Sequence, residues 1–477
     1  MKLPQEVKNI LDKLSKAGYE AFVVGGCVRD LLLKKEPGDW DITTNARPEE
    51  IQKVFPDNVY ENTFGTVGVK TGSENPVLAI VEITPYRIEG KYTDKRHPDE
   101  IRFADKLEND LSRRDFTINA LALDGNSDII DNFNGQNDLK RKIIRTVGNP
   151  KERFKEDALR LLRAVRFSAV LGFDVEKETL NAISGNAEWL RAISKERIRD
   201  EFVKIIESDN AYDGIIRLHE TGLLKYMVPE LEEGIGVGQN LHHIYTVWEH
   251  NLLALKYAAG KKYSLAVRLG SLFHDISKPK TKRGDGKYST FYGHDVVGGR
   301  MTAGIMERLK FPKDLSEKVI KLVRYHLFYY NVGEVTESSV RRLLANVGPE
   351  NMEDLIKVRE ADRIGSGAPK AVPYKLRHLK YVIDKVSHDP ISVKMLKIDG
   401  NELMNELGIK PGPKVGLILN CLLAEALDDP SRNTKELLMK RAHELDNKSS
   451  EDLKNALKRI EEAAKKEEEK RMKKYYV

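Results

Sequence analysis

The chain has 477 residues, 40% hydrophobic and 32% charged, which suits two to four soluble globular domains and excludes a chain too polar to bury a core. Its 80 Lys and Arg against 74 Asp and Glu leave a net charge of +6, too small an excess to establish a nucleic-acid partner but enough for basic patches. Two cysteines, Cys27 and Cys421, argue against a disulfide framework or a cysteine zinc cage and fit a reducing cytoplasm, and no apolar run reaches the length of a membrane span.

The N-terminal stretch MKLPQEVKNILDKLSKAGYE reads as an amphipathic helix and not as a signal peptide. Up to about residue 145 helix and strand patterns mix. EAFVVGG, WDITTN, TVGVKTG, VLAIVEITPYR and LALDGNSDIIDNF predict strands, while CVRDLLL and PEEIQKVF predict helices. Gly25 and Gly26 fall between a strand and a helix start, where missing side chains let backbone N–H groups approach a phosphate. Arg29 follows within one helical turn.

In DWD, Asp39 and Asp41 are two residues apart on an extended stretch, so their side chains share a face. Two carboxylates so placed repel unless a cation joins them. Glu82, flanked by apolar residues in VLAIVEITPYR, is a buried carboxylate on this pattern. Such a group needs an ion pair, with Arg87 or Arg102 at hand, or a metal. Facing the aspartates, it would complete a hard-cation site built of oxygen ligands. In LENDLSRRDFTINALA, Arg113 and Arg114 are suited to clamping phosphates, and Asp115 to accepting a bond from a sugar hydroxyl.

From Pro150 to about residue 445 apolar residues recur at three and four, so the pattern is mostly helical. FKEDALRLLRAVRFSAVLGF is expected to be one helix, with Asp157 and Arg160 three apart on a single face. Aspartate accepts hydrogen bonds and arginine only donates them. The pair therefore matches the amino donor and ring-nitrogen acceptor that cytosine and adenine both present. Uracil and guanine would set donor against donor, at about 1–3 kcal/mol for each frustrated buried group. An ordinary helix-surface salt bridge is the competing reading of the pair.

Taken in order, GG, DWD, VEIT, RRDFTINALA, KEDALRLLRAVRF and ISKERIRDEFVKII resemble the class II tRNA nucleotidyltransferase and bacterial poly(A) polymerase family over roughly the first 210 residues. The resemblance implies an α+β fold: a nucleotidyltransferase head of mixed sheet and helices (1–148), then an all-α neck for base recognition (149–235), body (236–375) and tRNA-binding tail (376–477). It implies that Asp39 and Asp41 hold two Mg²⁺ ions about 4 Å apart, with Glu82 helping to activate the RNA 3′-hydroxyl. It also implies nucleotide contacts from Gly25, Gly26, Arg29, Arg113, Arg114, Asp115, Asn119, Asp157, Arg160, Arg163 and Arg166. RIEGKYTDKRHPDEIRF occupies the place of the family's flexible loop and keeps Asp94, Lys95 and Arg96, which favours full CCA addition from CTP and ATP over partial addition. NVYENTFGTVGVK reads like CCA-adding members, whereas poly(A) polymerases carry a more arginine-rich segment there. A CC-adding or A-adding enzyme and a poly(A) polymerase are the rivals within this class. No obligate protein partner is evident.

Further on, TVWEHNLL, GSLFHDISKP, FYGHDVVGGRM, VRYHLFYY and READRIG supply His250, His274, Asp275, His294, His326 and Asp362. In this order on helical segments they resemble an HD metal-dependent phosphohydrolase domain. That resemblance implies a dinuclear centre bridged by Asp275, holding Mn²⁺, Ni²⁺ or Co²⁺, with Lys278 offsetting phosphate charge. A degenerate, purely structural helical body is the alternative, and hydrolysis as the main activity is the rival function from another class. The charged end, DNKSSEDLKNALKRIEEAAKKEEEKRMKKYYV, reads as a solvated helix.

Overall fold

A computed structural model describes residues 2–61, 65–89, 101–240, 244–328 and 330–473. These form two compact units: residues 1–233 with 305–311, and residues 234–304 with 312–477.

The first unit opens with the expected amphipathic helix, Gln5–Lys16, which buries Val7, Ile10, Leu11 and Leu14 on one side. Its strands are β1 (Ala21–Val24), β2 (Asp41–Thr44), β3 (Asn58–Glu61), β4 (Thr66–Lys70), β5 (Ile80–Pro85), β6 (Arg87–Glu89), β7 (Ile101–Phe103), β8 (Ala122–Leu123) and β9 (Ile129–Ile130). Seven make one mixed sheet in the order β3-β4-β5-β2-β1-β8-β9, and β6 and β7 form a separate pair. The neighbours β2 and β5 run parallel in a register that sets Asp41 opposite Glu82 and Ile42 opposite Ile83. Alternation in both strands sends Ile42, Val81 and Ile83 into the core and their polar neighbours to the other face. The VLAIVEITPYR stretch is not strand throughout: Asn75 accepts the Val77 N–H and caps a helical turn over Pro76–Ala79 before β5 begins.

Helices follow. The stretch expected to be one helix is two, Pro150–Glu156 and Leu159–Leu171, with Asp157 extended between them. The Asp157 carboxylate accepts the Leu159 N–H at 3.0 Å, a local bond that competes with continued helix. Helix Lys195–Glu207 packs on Leu159–Leu171 and buries Ile198, Phe202 and Ile205.

Within the second unit, helices Val247–Gly260, Leu265–Phe273, Lys313–Tyr325 and Pro349–Gly365 pack together. Gly365 permits a close crossing: a Cβ there would lie 2.8 Å from the His250 carbonyl oxygen. A separate apolar cluster gathers Leu403, Ile418, Leu422, Leu438 and Leu453. The charged terminal helix, Ser450–Lys473, is therefore not wholly solvated, because Leu453 is buried in that cluster and Leu457 packs against it.

Candidate active site

The first site is built on strand ends. Gly25 closes β1 with φ 83° and ψ −133°, a backbone state that glycine alone adopts readily. A Cβ there would stand 2.8 Å from Arg114 Nη1 and 3.7 Å from Asp41 Oδ2. The glycine thus brings the Arg114 guanidinium and the Asp41 carboxylate to one turn. Asp39 lies in the bend just before β2 and is exposed, Trp40 is buried, and Asp41, the first residue of β2, is partly buried. Glu82 differs from expectation, because its side is exposed and not buried in the apolar strand. Its backbone N–H donates to the Trp40 carbonyl at 3.1 Å, which fixes β5 against the DWD segment.

Electrostatics tie the three acids together. Burial, then Asp39, raise the Asp41 carboxyl to about 6; Arg114 works against the rise and Glu82 adds to it. Mutual repulsion among carboxylates on one sheet face is the setting that a divalent cation relieves, and an all-oxygen donor set fits a hard ion such as Mg²⁺. The three acids are not drawn into a tight ligand cluster of the kind found in the second unit.

Around them runs a network of arginines. Arg113 and Arg114 reach the fully buried Asp110 at 2.6 and 3.3 Å. Arg29 donates to Asn119 Oδ1 at 2.7 Å, and Asn119 donates to Asp115 at 3.0 Å. Asp115 also accepts the Phe116 N–H and two bonds from Arg163, Nε at 2.8 Å and Nη2 at 2.7 Å. Burial works to raise the Asp115 carboxyl, but Arg163, Asn119 and Arg160 hold it far below the usual carboxylate range. Its oxygens are engaged by protein donors, so a sugar hydroxyl of the kind expected from sequence would have to share them. Arg166 stacks 3.7 Å from the centre of the Phe167 ring and pairs with buried Glu201 at 2.9 Å.

Asp157 and Arg160 are close in sequence but are not neighbours on one continuous helix. Asp157 is held by Arg197 at 3.0 Å, and Arg160 by Glu156 at 2.5 Å and the Arg113 carbonyl at 3.0 Å. Sequence reasoning missed Arg197, Glu156 and Glu201 as partners of the candidate residues. All three lie in stretches whose charge spacing signals helix-face pairs. Asp94, Lys95 and Arg96 lie outside the described residues.

A second candidate centre occupies the second unit. Helix Val247–Gly260, capped by Thr246 and Glu249, carries His250; His274 caps helix Leu265–Phe273, with Asp275 next. His294 opens the next long helix, His326 caps Lys313–Tyr325, and Asp362 sits on Pro349–Gly365. All six are buried. They fall into two sets of potential ligand atoms: His250, His274, Asp275 and Asp362 in one, and Asp275, His294 and His326 in the other. Asp275 is common to both. Its Oδ2 lies 3.0 Å from His250 and 3.3 Å from His274; its Oδ1 lies 3.3 Å from His294 and 3.5 Å from His326 and has no hydrogen-bond partner.

The far nitrogens Nδ1 of His274, His294 and His326 face the carbonyls of Ser271, Phe291 and Val323, which turns each Nε2 inward. Burial works to lower His274, yet Asp275 and Asp362 push it up to about 10. Lys278 Nζ lies 2.6 Å from Asp275 and from Gln239. These buried His and Asp groups have the donor chemistry to hold metal ions.

A family profile described as the poly A polymerase head domain matches residues 21–145, and one described as tRNA nucleotidyltransferase domain 2 matches residues 300–442. A CCA-adding enzyme of Ligilactobacillus salivarius is 35% identical over 463 residues, spanning 93% of this chain and 98% of the relative. The chain belongs to the CCA-adding enzyme family. Another CCA-adding enzyme, of Lactococcus lactis, is 45% identical over 236 residues, 49% of this chain and 58% of that one. The crystal structure of the Bacillus stearothermophilus CCA-adding enzyme in complex with CTP matches with a TM-score of 0.67 and 28% identity, covering 94% of this chain and all of that one. A Thermotoga maritima CCA-adding enzyme complexed with tRNA shares the fold at a TM-score of 0.52 and 20% identity. As in this family, the chain is a nucleotidyltransferase, with a mixed-sheet head followed by helices. No described helix is long and apolar enough to cross a membrane.

Proposed function

We infer that this enzyme adds C, C and A to the 3′ end of tRNA from CTP and ATP, without a nucleic-acid template. The observation that carries the reading is the parallel β2–β5 register that faces Asp41 with Glu82 beside Asp39. Bound Mg²⁺ would supply acidity to the attacking 3′-hydroxyl and neutralise the triphosphate and the departing pyrophosphate. Asp39 and Asp41 are the residues to hold it, with Glu82 facing them to orient the hydroxyl. Gly25 leaves room for phosphate near Arg114, and Arg113 adds a second guanidinium. Arg29, Asn119, Asp115 and Arg163 form the hydrogen-bonded frame on which these groups stand. Asp157 and Arg160 would read the incoming base, and a correct base must compete with the Arg197 and Glu156 contacts. A wrong base leaves those internal pairs in place and gains nothing. Two free, buried cysteines support a reducing, cytoplasmic setting. The test is to give the enzyme tRNA ending before CCA, after C and after CC, with each single NTP, and to sequence the 3′ ends. C, C and A each added in turn is the expected result; untemplated A runs would sink it.

A second reading is carried by Asp275, which alone belongs to both ligand sets and keeps one buried oxygen without a hydrogen-bond partner. The HD centre would be a phosphohydrolase active with Mn²⁺, Ni²⁺ or Co²⁺, with Lys278 placed to meet phosphate charge. Purified enzyme without such a metal, and inert toward 2′,3′-cyclic and simple phosphate esters, would retire it.

A further inference from the structure

Helix Tyr374–Val386 in the second unit has two unlike sides. Leu376, Leu379, Val382 and Val386 are buried, which fixes the inward face. At 100° per residue, positions 374, 378, 381 and 385 fall within a stripe about 60° wide, centred about 125° round the helix from that face. The stripe reads Tyr374, His378, Tyr381 and Lys385, with Arg377 at its edge. Tyr374 and Tyr381 are 62% and 65% exposed, unusually open for rings that fold nothing beneath them. His378 stands between them, 6.1 Å centre to centre from each ring. Tyr330 braces the row from below, hydrogen-bonded through its hydroxyl to His378 Nδ1, with ring centres 5.9 Å apart.

The His378 ring is inclined 55° to Tyr374 and 62° to Tyr381, so the row is not one flat surface; the two exposed tyrosine rings, about two helical turns apart, can each take a flat partner. The charge around them bears on which. From residue 370 to 389 the chain holds Lys370, Lys375, Arg377, Lys380 and Lys385 against Asp384 and Asp389; Lys380 pairs with Glu360 and Lys385 with Glu337 of neighbouring helices, so the local basic excess is modest. Exposed π faces within a modestly basic surface match unpaired bases on a phosphate backbone, and they do not match an acidic-poor apolar peptide. We propose that the Tyr374–His378–Tyr381 stripe is a stacking platform for unpaired bases of the RNA substrate. The inference rests on the tRNA reading above. The two are separable, since wild-type C and A addition tests the one and the variants' RNA affinity tests the other.

The experiment measures binding of fluorescently labelled tRNA to the full chain by anisotropy. Replacing both rings, Tyr374→Ala with Tyr381→Ala, should weaken binding about tenfold or more. Tyr374→Phe with Tyr381→Phe should restore it, because the ring stacks and the hydroxyl does not. The pair Tyr374→Leu and Tyr381→Leu keeps bulk without a π face, should retain the wild-type melting temperature, and should bind as weakly as the alanine pair. The tyrosine variants should leave the dependence of log Kd on log salt unchanged, whereas Arg377→Gln should lower that slope by about one. Leucine or alanine pairs that bind tRNA within twofold of wild type would overturn the proposal and leave the face to a protein partner. So would phenylalanine variants as weak as the alanine pair.

Discussion

Asp115 joins the sheet unit's loop to helix Leu159–Leu171 through its pair with Arg163. Its carboxylate takes bonds from Phe116, Asn119 and Arg163, and little of the residue reaches solvent. A carboxyl held below its unfolded value of about 3.9 adds stability that is present above that pH and lost as pH falls through the folded value. Asp115→Asn should therefore lower the melting temperature at pH 7, by the equivalent of about 1–3 kcal/mol, because the partly buried Arg163 loses its counter-charge. Scanning calorimetry at pH 7 and pH 3 should find the gap between wild type and variant shrinking as wild-type Asp115 loses its advantage. A gap of equal size at both pH values would show that the contribution is packing and not charge. The neighbouring pair proposed to read the base, Asp157 and Arg160, calls for a different measurement. Asp157→Ala or Arg160→Ala should reduce the CTP:UTP preference by about tenfold or more, as one frustrated hydrogen-bonding group stops discriminating. Single-nucleotide incorporation with each triphosphate reads this ratio, and an unchanged ratio would take the base-reading role from the pair.

Among elements, the β1 turn is the least forgiving. Gly25→Ala meets both the left-handed backbone strain, about 1–3 kcal/mol, and a contact with Arg114 far inside van der Waals distance. Transfer should fall by at least tenfold while calorimetry shows only a modest loss of stability; normal turnover would mean that Arg114 moves freely and plays no part. Gly25 could be read from the sequence because a strand running into GG and then a helix leaves few alternatives. DWD could be read because a period of two is local. The exposure of Glu82 could not, since the apolar residues on either side describe the opposite face of β5. Nor could the break at Asp157: KEDALRLL holds no glycine or proline, and the extended residue is secured by Arg197, forty positions away. The six metal-type residues of the second unit were legible as a set because their order survives in the chain, but which ring nitrogen faces inward depends on three carbonyls that no spacing reveals. The terminal helix was read from its charge run, which hid Leu453. Leu453→Ala should cost about 2–5 kcal/mol within its apolar cluster, seen as faster hydrogen exchange across helix Pro413–Asp428.

Across the whole molecule, two candidate metal centres of unlike chemistry stand in separate compact units. One offers carboxylate oxygens on a sheet face, and the other offers imidazoles with two buried aspartates. Hard oxygen donors suit Mg²⁺, while the mixed nitrogen and oxygen set binds first-row transition metals more firmly, so one chain can keep the two ions apart by ligand type. The consequence is measurable. Enzyme purified without chelator should carry Mn, Ni or Co by elemental analysis. His294→Ala with His326→Ala should lose the share held by the second ligand set and keep the share held by His250, His274, Asp275 and Asp362. Nucleotide addition with Mg²⁺ should proceed in that variant at the wild-type rate, because none of its changed residues lies in the first unit. In Asp39→Ala with Asp41→Ala the outcome should invert: transition-metal content stays, tRNA still binds, and nucleotide addition ceases. Loss of bound transition metal in the aspartate variant, or loss of Mg²⁺-dependent addition in the histidine variant, would show that the two centres are not chemically independent.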